Sequence, residues 1–176
     1  MKSMRRSLLT LLILAFAGCR PEEVFPPVSE TGPAGQHPVA PSFAVPGIGS
    51  SQGHISLASY KGNVVLLDFW ATWCPPCRSE LPYLNKLYGE MKGKGFAIIG
   101  MTVDQGDRKD IDQAVKKFEL SYPVALADSS VQEAYGGIRA VPTKFLLDKK
   151  GSIRAHYEGV VDENRLRADV ESLLKE

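Results

Sequence analysis

Asp68-Phe69-Trp70-Ala71-Thr72-Trp73-Cys74-Pro75-Pro76-Cys77 is the stretch whose reading decides the fold. An apolar run, Val64 to Phe69, enters it as a strand, and two cysteines spaced two apart leave it at the start of a helical pattern. A helix N-terminus offers unpaired N–H groups and the positive end of the macrodipole, which favours a thiolate at Cys74. Cys77, one turn on, faces back within bonding distance. Pro76 suits the first helical turn, where the N–H it lacks has no partner. A zinc half-site or a structural bridge has the same cysteine spacing. A zinc site needs a second pair or clustered histidines, yet there is no second Cys-x-x-Cys, and His37, His54 and His156 stand apart from any motif. The expectation is a redox dithiol with no metal.

Downstream, a helix is predicted from about Pro75 to Lys92, with Leu81, Leu84, Leu87, Tyr88 and Met91 on its apolar face and a kink at Pro82. Glu80 lies one turn after Cys77, where its charge can oppose thiolate formation or pass protons; a solvated helix glutamate fits the pattern equally well. Gly93-Lys94-Gly95 ends the helix, and Phe96 to Val103 reads as a second buried strand. Ile111, Val115 and Phe118 outline another helix, followed by a short strand at Pro123 to Leu126 and a helical turn around Val131 to Tyr135. Pro142 starts a strand, Lys144 to Leu147, facing the active-site loop, which makes Val141-Pro142 a candidate cis peptide. Ile153 to Tyr157 completes a hairpin, and Asp162 caps a final helix with Leu166, Val170, Leu173 and Leu174 inward. Upstream, Phe43 to Val45 and His54 to Leu57 flank a Gly/Ser-rich loop as a hairpin. Asp68 interrupts the strand that carries the motif, and a carboxylate buried there is costly unless paired or protonated.

These residues resemble the thioredoxin superfamily, and more closely its TlpA/ResA-like thiol-disulfide oxidoreductases. The resemblance rests on the Asp-Phe-Trp-Ala-Thr-Trp-Cys-Pro-Pro-Cys run, Glu80-Leu81-Pro82 and Ile138-Arg139-Ala140-Val141-Pro142-Thr143, and it covers about Pro41 to Glu176. It implies a thioredoxin-like α/β fold: a mixed central sheet with helices on both faces, an N-terminal β-hairpin and a helix-strand insertion. It implies Cys74 as nucleophile, Cys77 as resolving cysteine, and Pro142 cis beside the dithiol. Trp73, Pro75, Pro76 and Val141 then border the substrate groove. Asp68 matches the thioredoxin position of a buried proton acceptor, where many TlpA/ResA-like chains carry Asn. Protein disulfides are the implied substrates, apocytochrome c among them, with a membrane dithiol carrier as electron donor and no cofactor. A peroxidatic cysteine needs a Pro-x-x-x-Thr-x-x-Cys setting, and a copper-delivering relative needs a three-residue cysteine spacing with a downstream histidine. Both are absent. A binding or chaperone module with a static bridge is the rival from another class.

Before the domain, residues 1–18 read as a signal peptide: Lys2, Arg5 and Arg6, an apolar run from Leu8 to Ala17, then small residues. Phe16-Ala17-Gly18-Cys19 looks like a bacterial lipobox with Phe in place of the usual Leu, which makes Cys19 a lipidation site. Arg20 after it, in place of Asp, implies sorting to the outer membrane in a Gram-negative envelope. Residues 19–41, with six of the twelve prolines between Arg20 and Pro41, read as a tether, and 42–176 as the domain.

At 176 residues, 44% hydrophobic and 23% charged, the chain supports one well-buried core. The formal charge is +1, and loss of the leader with its three cations leaves 18 basic against 20 acidic residues. No basic stripe is available to neutralise phosphates, so nucleic acid is not an expected partner. A monomer is expected.

Overall fold

The computed structural model describes residues 37–49, 51 and 53–176. The signal peptide, Cys19 and most of the tether lie outside the described residues. Seven strands form one sheet: β1 (Ala44–Ile48), β2 (His54–Ser56), β3 (Val64–Trp70), β4 (Phe96–Thr102), β5 (Val124–Leu126), β6 (Thr143–Leu147) and β7 (Ile153–Glu158). Their spatial order is β2-β1-β5-β4-β3-β6-β7. β3, β4 and β5 run parallel, whereas β1, β6 and β7 join by antiparallel pairing, so the sheet is mixed. This is the thioredoxin-like fold, with the expected N-terminal hairpin. The hairpin reaches the sheet only through β5, the strand of the insertion, which pairs with β4 on one side and β1 on the other.

Among the described residues four α-helices complete the fold: α1 (Pro75–Met91), α2 (Arg108–Lys117), α3 (Ser129–Ala134) and α4 (Glu163–Lys175). Alternation along β3 sorts the two faces. Val64, Leu66 and Trp70 pack with Leu81, Leu84 and Leu87 of α1, Ile111 and Val115 of α2, and Leu166 and Val170 of α4. Val65, Leu67 and Phe69 pack on the other side with Val45, Ile55, Val131 and Tyr135. Both faces are covered, which is why β3 and β4 read as continuous apolar runs.

Several details differ from the sequence expectation. β1 extends to Ile48, inside the stretch read as loop. α1 runs through Pro82 from Pro75 to Met91 as one helix. The fold also takes in residues assigned to the tether, before the expected start at residue 42. Val39 bridges Ser152, the Ala40 N–H donates to the Gly151 carbonyl at 2.9 Å, and the Ile153 N–H donates to the Pro38 carbonyl at 2.8 Å. The physical cause is the open edge of the β6–β7 turn, whose backbone groups pair with any extended segment passing it.

Candidate active site

The dithiol lies where β3 gives way to α1. Cys74 is the N-cap of α1, with extended backbone, and Pro75 and Pro76 occupy the first two helical positions. Both prolines lack an N–H, so the helix start has few free donors. The Cys77 N–H reaches the Cys74 sulfur at 3.2 Å. Cys74 and Cys77 are joined by a disulfide with Cα atoms 5.3 Å apart. Both sulfurs are buried, but Pro75 and Pro76 are exposed and Trp73 is 65% exposed. Val141-Pro142 is a cis peptide, as expected, and the Val141 carbonyl lies 3.6 Å from the Cys74 sulfur. Two bonds hold this turn: the Thr143 hydroxyl donates to the Ala140 carbonyl at 2.9 Å, and the Gly159 N–H donates to the Pro142 carbonyl at 2.8 Å.

Asp68 is buried, at 1% exposure. As an even-numbered residue of β3 it shares the face of Leu66 and Trp70, whose core cluster also holds Cys74, Cys77 and Leu81 of α1. The sequence reading allowed pairing or protonation as the remedy for its burial, and it named no partner. The structure supplies one in Lys144. Antiparallel register puts Asp68 directly opposite Lys144, and the fully buried ammonium sits 3.4 Å from Asp68 Oδ1 and 2.8 Å from Glu80 Oε2. Glu80 Oε1 accepts the Val161 N–H at 3.0 Å. Glu80 is therefore buried and bonded on both oxygens, which corrects the solvated-helix reading. Asp68 Oδ1 makes no hydrogen bond of normal geometry, and its contact with Lys144 is one of charge. Burial pushes the Asp68 carboxyl above its ordinary pKa; Lys144 pulls it back down, and Glu80 adds to the rise.

Other residues of the site were not singled out from the sequence. Asp104 fixes the loop ahead of the dithiol: it accepts the Thr72 N–H at 2.9 Å, the Thr72 hydroxyl at 2.7 Å and the Thr102 hydroxyl at 2.5 Å. The Tyr122 hydroxyl and Trp70 Nε1 are buried without a hydrogen bond to any described residue. Burial, with the carboxylates of Asp68 and Glu80, holds Tyr122 protonated well above the usual phenol range. Gly100, opposite Asp68 on β4, makes room for both rings: a Cβ there would stand 3.1 Å from Tyr122 and 3.3 Å from Trp70 Nε1. A signal for Lys144 was present in the sequence. A lysine in a strand otherwise apolar needs a counter-charge, as does an aspartate in another such strand, and the two could have been matched.

A buried cysteine pair bonded as a disulfide under exposed prolines and tryptophan is equipped to exchange disulfides. Residues 37–156 match the model of the AhpC/TSA family. The chain belongs to the AhpC/TSA family. Among curated relatives, the thiol-disulfide oxidoreductases ResA of Bacillus thuringiensis subsp. konkukian and of Bacillus cereus are each 39% identical over 121 residues, covering 68% of this chain and 68% of theirs. Among solved structures, a thiol:disulfide interchange protein of the thioredoxin family from Chlorobium tepidum superposes with a TM-score of 0.71 at 30% identity, over 80% of this chain and 98% of that one. The thioredoxin domain of a thiol-disulfide oxidoreductase from Bacteroides vulgatus gives 0.69 at 30% identity, with the same coverage. This AhpC/TSA member is a thiol-disulfide oxidoreductase. Among its described residues no cluster of His, Cys, Asp or Glu could hold a metal, and no helix is long and apolar enough to cross a membrane.

Proposed function

We propose that this oxidoreductase is a monomeric lipoprotein of the bacterial envelope that faces the periplasm, is tethered through Cys19, and reduces protein disulfides, apocytochrome c among them. The Cys74 thiolate attacks a substrate disulfide, forming a mixed disulfide and expelling one substrate thiolate. Cys77 gives its proton to Asp68 and attacks the Cys74 sulfur. The Cys74–Cys77 bond forms, the mixed disulfide breaks, and the second substrate thiolate leaves. The substrate gains two electrons, the dithiol loses two, and a membrane dithiol carrier restores them. Trp73, Pro75, Pro76, Val141 and Pro142 form the face on which the substrate docks.

The observation that carries the direction of exchange is the donor inventory at Cys74. With proline at positions 75 and 76, the Cys77 N–H at 3.2 Å is the donor the motif provides. A thiolate with few donors is a weak leaving group, and the couple is a reductant. Equilibration with glutathione is expected to place its potential near the thioredoxin value of about −270 mV and far from the DsbA value of about −120 mV. A potential above about −180 mV, the disulfide-isomerase level, overturns the reductant reading. Two cellular experiments test the rest. Cys77→Ser is expected to trap substrate on Cys74 in the periplasm, and Cys19→Ser to abolish labelling by a fatty-acid analogue and release the protein from membranes.

A further inference from the structure

The exchange reaction leaves two buried charges without a role, the Lys144 ammonium and the Glu80 carboxylate paired with it. Three ionisable side chains meet in the core from three elements, Asp68 from β3, Glu80 from α1, one turn after Cys77, and Lys144 from β6. Two acids share one cation there, out of reach of water, and the two are held differently. Glu80 accepts on both oxygens, from Lys144 and from the Val161 N–H, so neither oxygen is left to aim a proton at a partner. Asp68 Oδ1 has only the ammonium 3.4 Å away and no hydrogen bond. Its Oδ1 can take a proton without any hydrogen bond being lost.

We propose that Lys144 is a positioning residue of the exchange reaction: clamped to Glu80, its ammonium keeps Asp68 charged and ready to accept the Cys77 proton. Glu80 is the anchor of the ammonium and Asp68 the member that cycles. The proton moves from the Cys77 sulfur to Asp68 as Cys77 attacks, and returns to Cys77 when the dithiol carrier breaks the Cys74–Cys77 bond and Cys77 leaves as a thiolate. The other groups facing this cluster are consistent with that division. Tyr122, from the segment before β5, is held as the neutral phenol. Tyr157, opposite Lys144 on β7, has its hydroxyl on Asp169 of α4 at 2.6 Å. Arg165 of α4 lies over the Tyr157 ring.

The proposal rests on Cys77 being the resolving cysteine, and the test separates the two. The full chain is loaded at Cys74 with thionitrobenzoate, and release of the coloured thiolate by Cys77 is followed against pH. In wild type the rate rises through an inflection belonging to Asp68. Asp68→Asn is expected to remove that inflection. Lys144→Met, which deletes the cation, is expected to move it up by about one pH unit or more, a tenfold change in proton affinity. Glu80→Gln, which deletes the competing anion, is expected to move it down, and Lys144→Arg to restore it toward wild type. A lysine that merely filled space would alter stability and leave the inflection in place. Should Lys144→Met fail to fold, Lys144→Gln keeps a donor toward Glu80 without the charge. Titration of the wild-type chain labelled with carboxyl-13C aspartate gives a reading independent of any lysine variant: the Asp68 signal is expected to titrate at the kinetic inflection. An inflection that stays put in the neutral Lys144 variants, or that survives Asp68→Asn and vanishes in Glu80→Gln, overturns the assignment. If Cys77→Ser releases thionitrobenzoate as fast as wild type, the resolving role itself fails, and the proposal with it.

Discussion

The two faces of β3 bury opposite kinds of side chain. Its odd-numbered residues, Val65, Leu67 and Phe69, enter an apolar cluster in which Phe69, Tyr135 and Phe145 stack edge to face or tilted at 5.2–5.9 Å. The one hydroxyl among those three rings, on Tyr135, is bonded to the Pro41 carbonyl at 2.8 Å. Its even-numbered residues begin the same way, with Val64 and Leu66, and then at Asp68 meet two charged groups instead of a hydrocarbon. A single strand thus carries a face that gains free energy from burial and a face that spends some of it. The difference teaches that stability and chemistry are separable here at the spacing of one residue.

Breaking the apolar face has the largest expected effect. Phe69→Ala leaves a cavity between Tyr135 and Phe145 and is expected to cost about 3–5 kcal/mol in denaturant melts. The dithiol potential is expected to stay within about 10 mV of wild type, a small shift on the scale of 30 mV for a tenfold change. A large shift in potential would show that the two faces are coupled through the strand.

The charged face is expected to respond in the opposite sense. The folded Asp68 carboxyl ionises at a higher pH than the unfolded one, which titrates near about pH 3.9. In the window between these values the folded chain holds a proton the unfolded chain has lost. Stability from this group is therefore greatest below the unfolded value, falls as pH rises through the window, and is level above the folded value. Asp68→Asn removes the dependence and leaves Lys144 paired one to one with Glu80. The variant is expected to be more stable than wild type at pH 7, on the order of 1 kcal/mol, and slower in resolving mixed disulfides. The difference between the two proteins' melts across pH isolates Asp68 from carboxylates such as Glu176, whose pKa Arg154 lowers. A destabilised Asp68→Asn at pH 7 would mean that its charge attraction to Lys144 outweighs its desolvation.

The smallest effect on stability belongs to neither face. Trp73 stands in solvent above the dithiol. Trp73→Ala is expected to change stability by no more than about 0.5 kcal/mol while raising KM for a protein disulfide. An unchanged KM would remove Trp73 from the docking face.

Some of this was legible in the chain and some was not. The strand-to-helix placement of Cys74 and Cys77, the helix start at two prolines and the apolar cores follow from local rules, periodicity, capping and the groups proline lacks, while the cis Val141-Pro142, a candidate on local grounds, was what the family resemblance implied. Each of those rules acts over a few residues, so the sequence by itself determined the redox dithiol, and the resemblance carried by its motifs implied the fold class. The partners of Asp68 and Glu80 are of another kind. Lys144 is 76 positions from Asp68 and 64 from Glu80 along the chain, and only the antiparallel register of β3 with β6, with the Glu80 side chain of α1 meeting Lys144, brings the three together. A carboxylate's cost depends on what surrounds it, and that is a property of packing. The tertiary structure alone decided that Glu80 is buried, that Asp68 faces a cation, and that Asp104 holds the loop which aims Cys74.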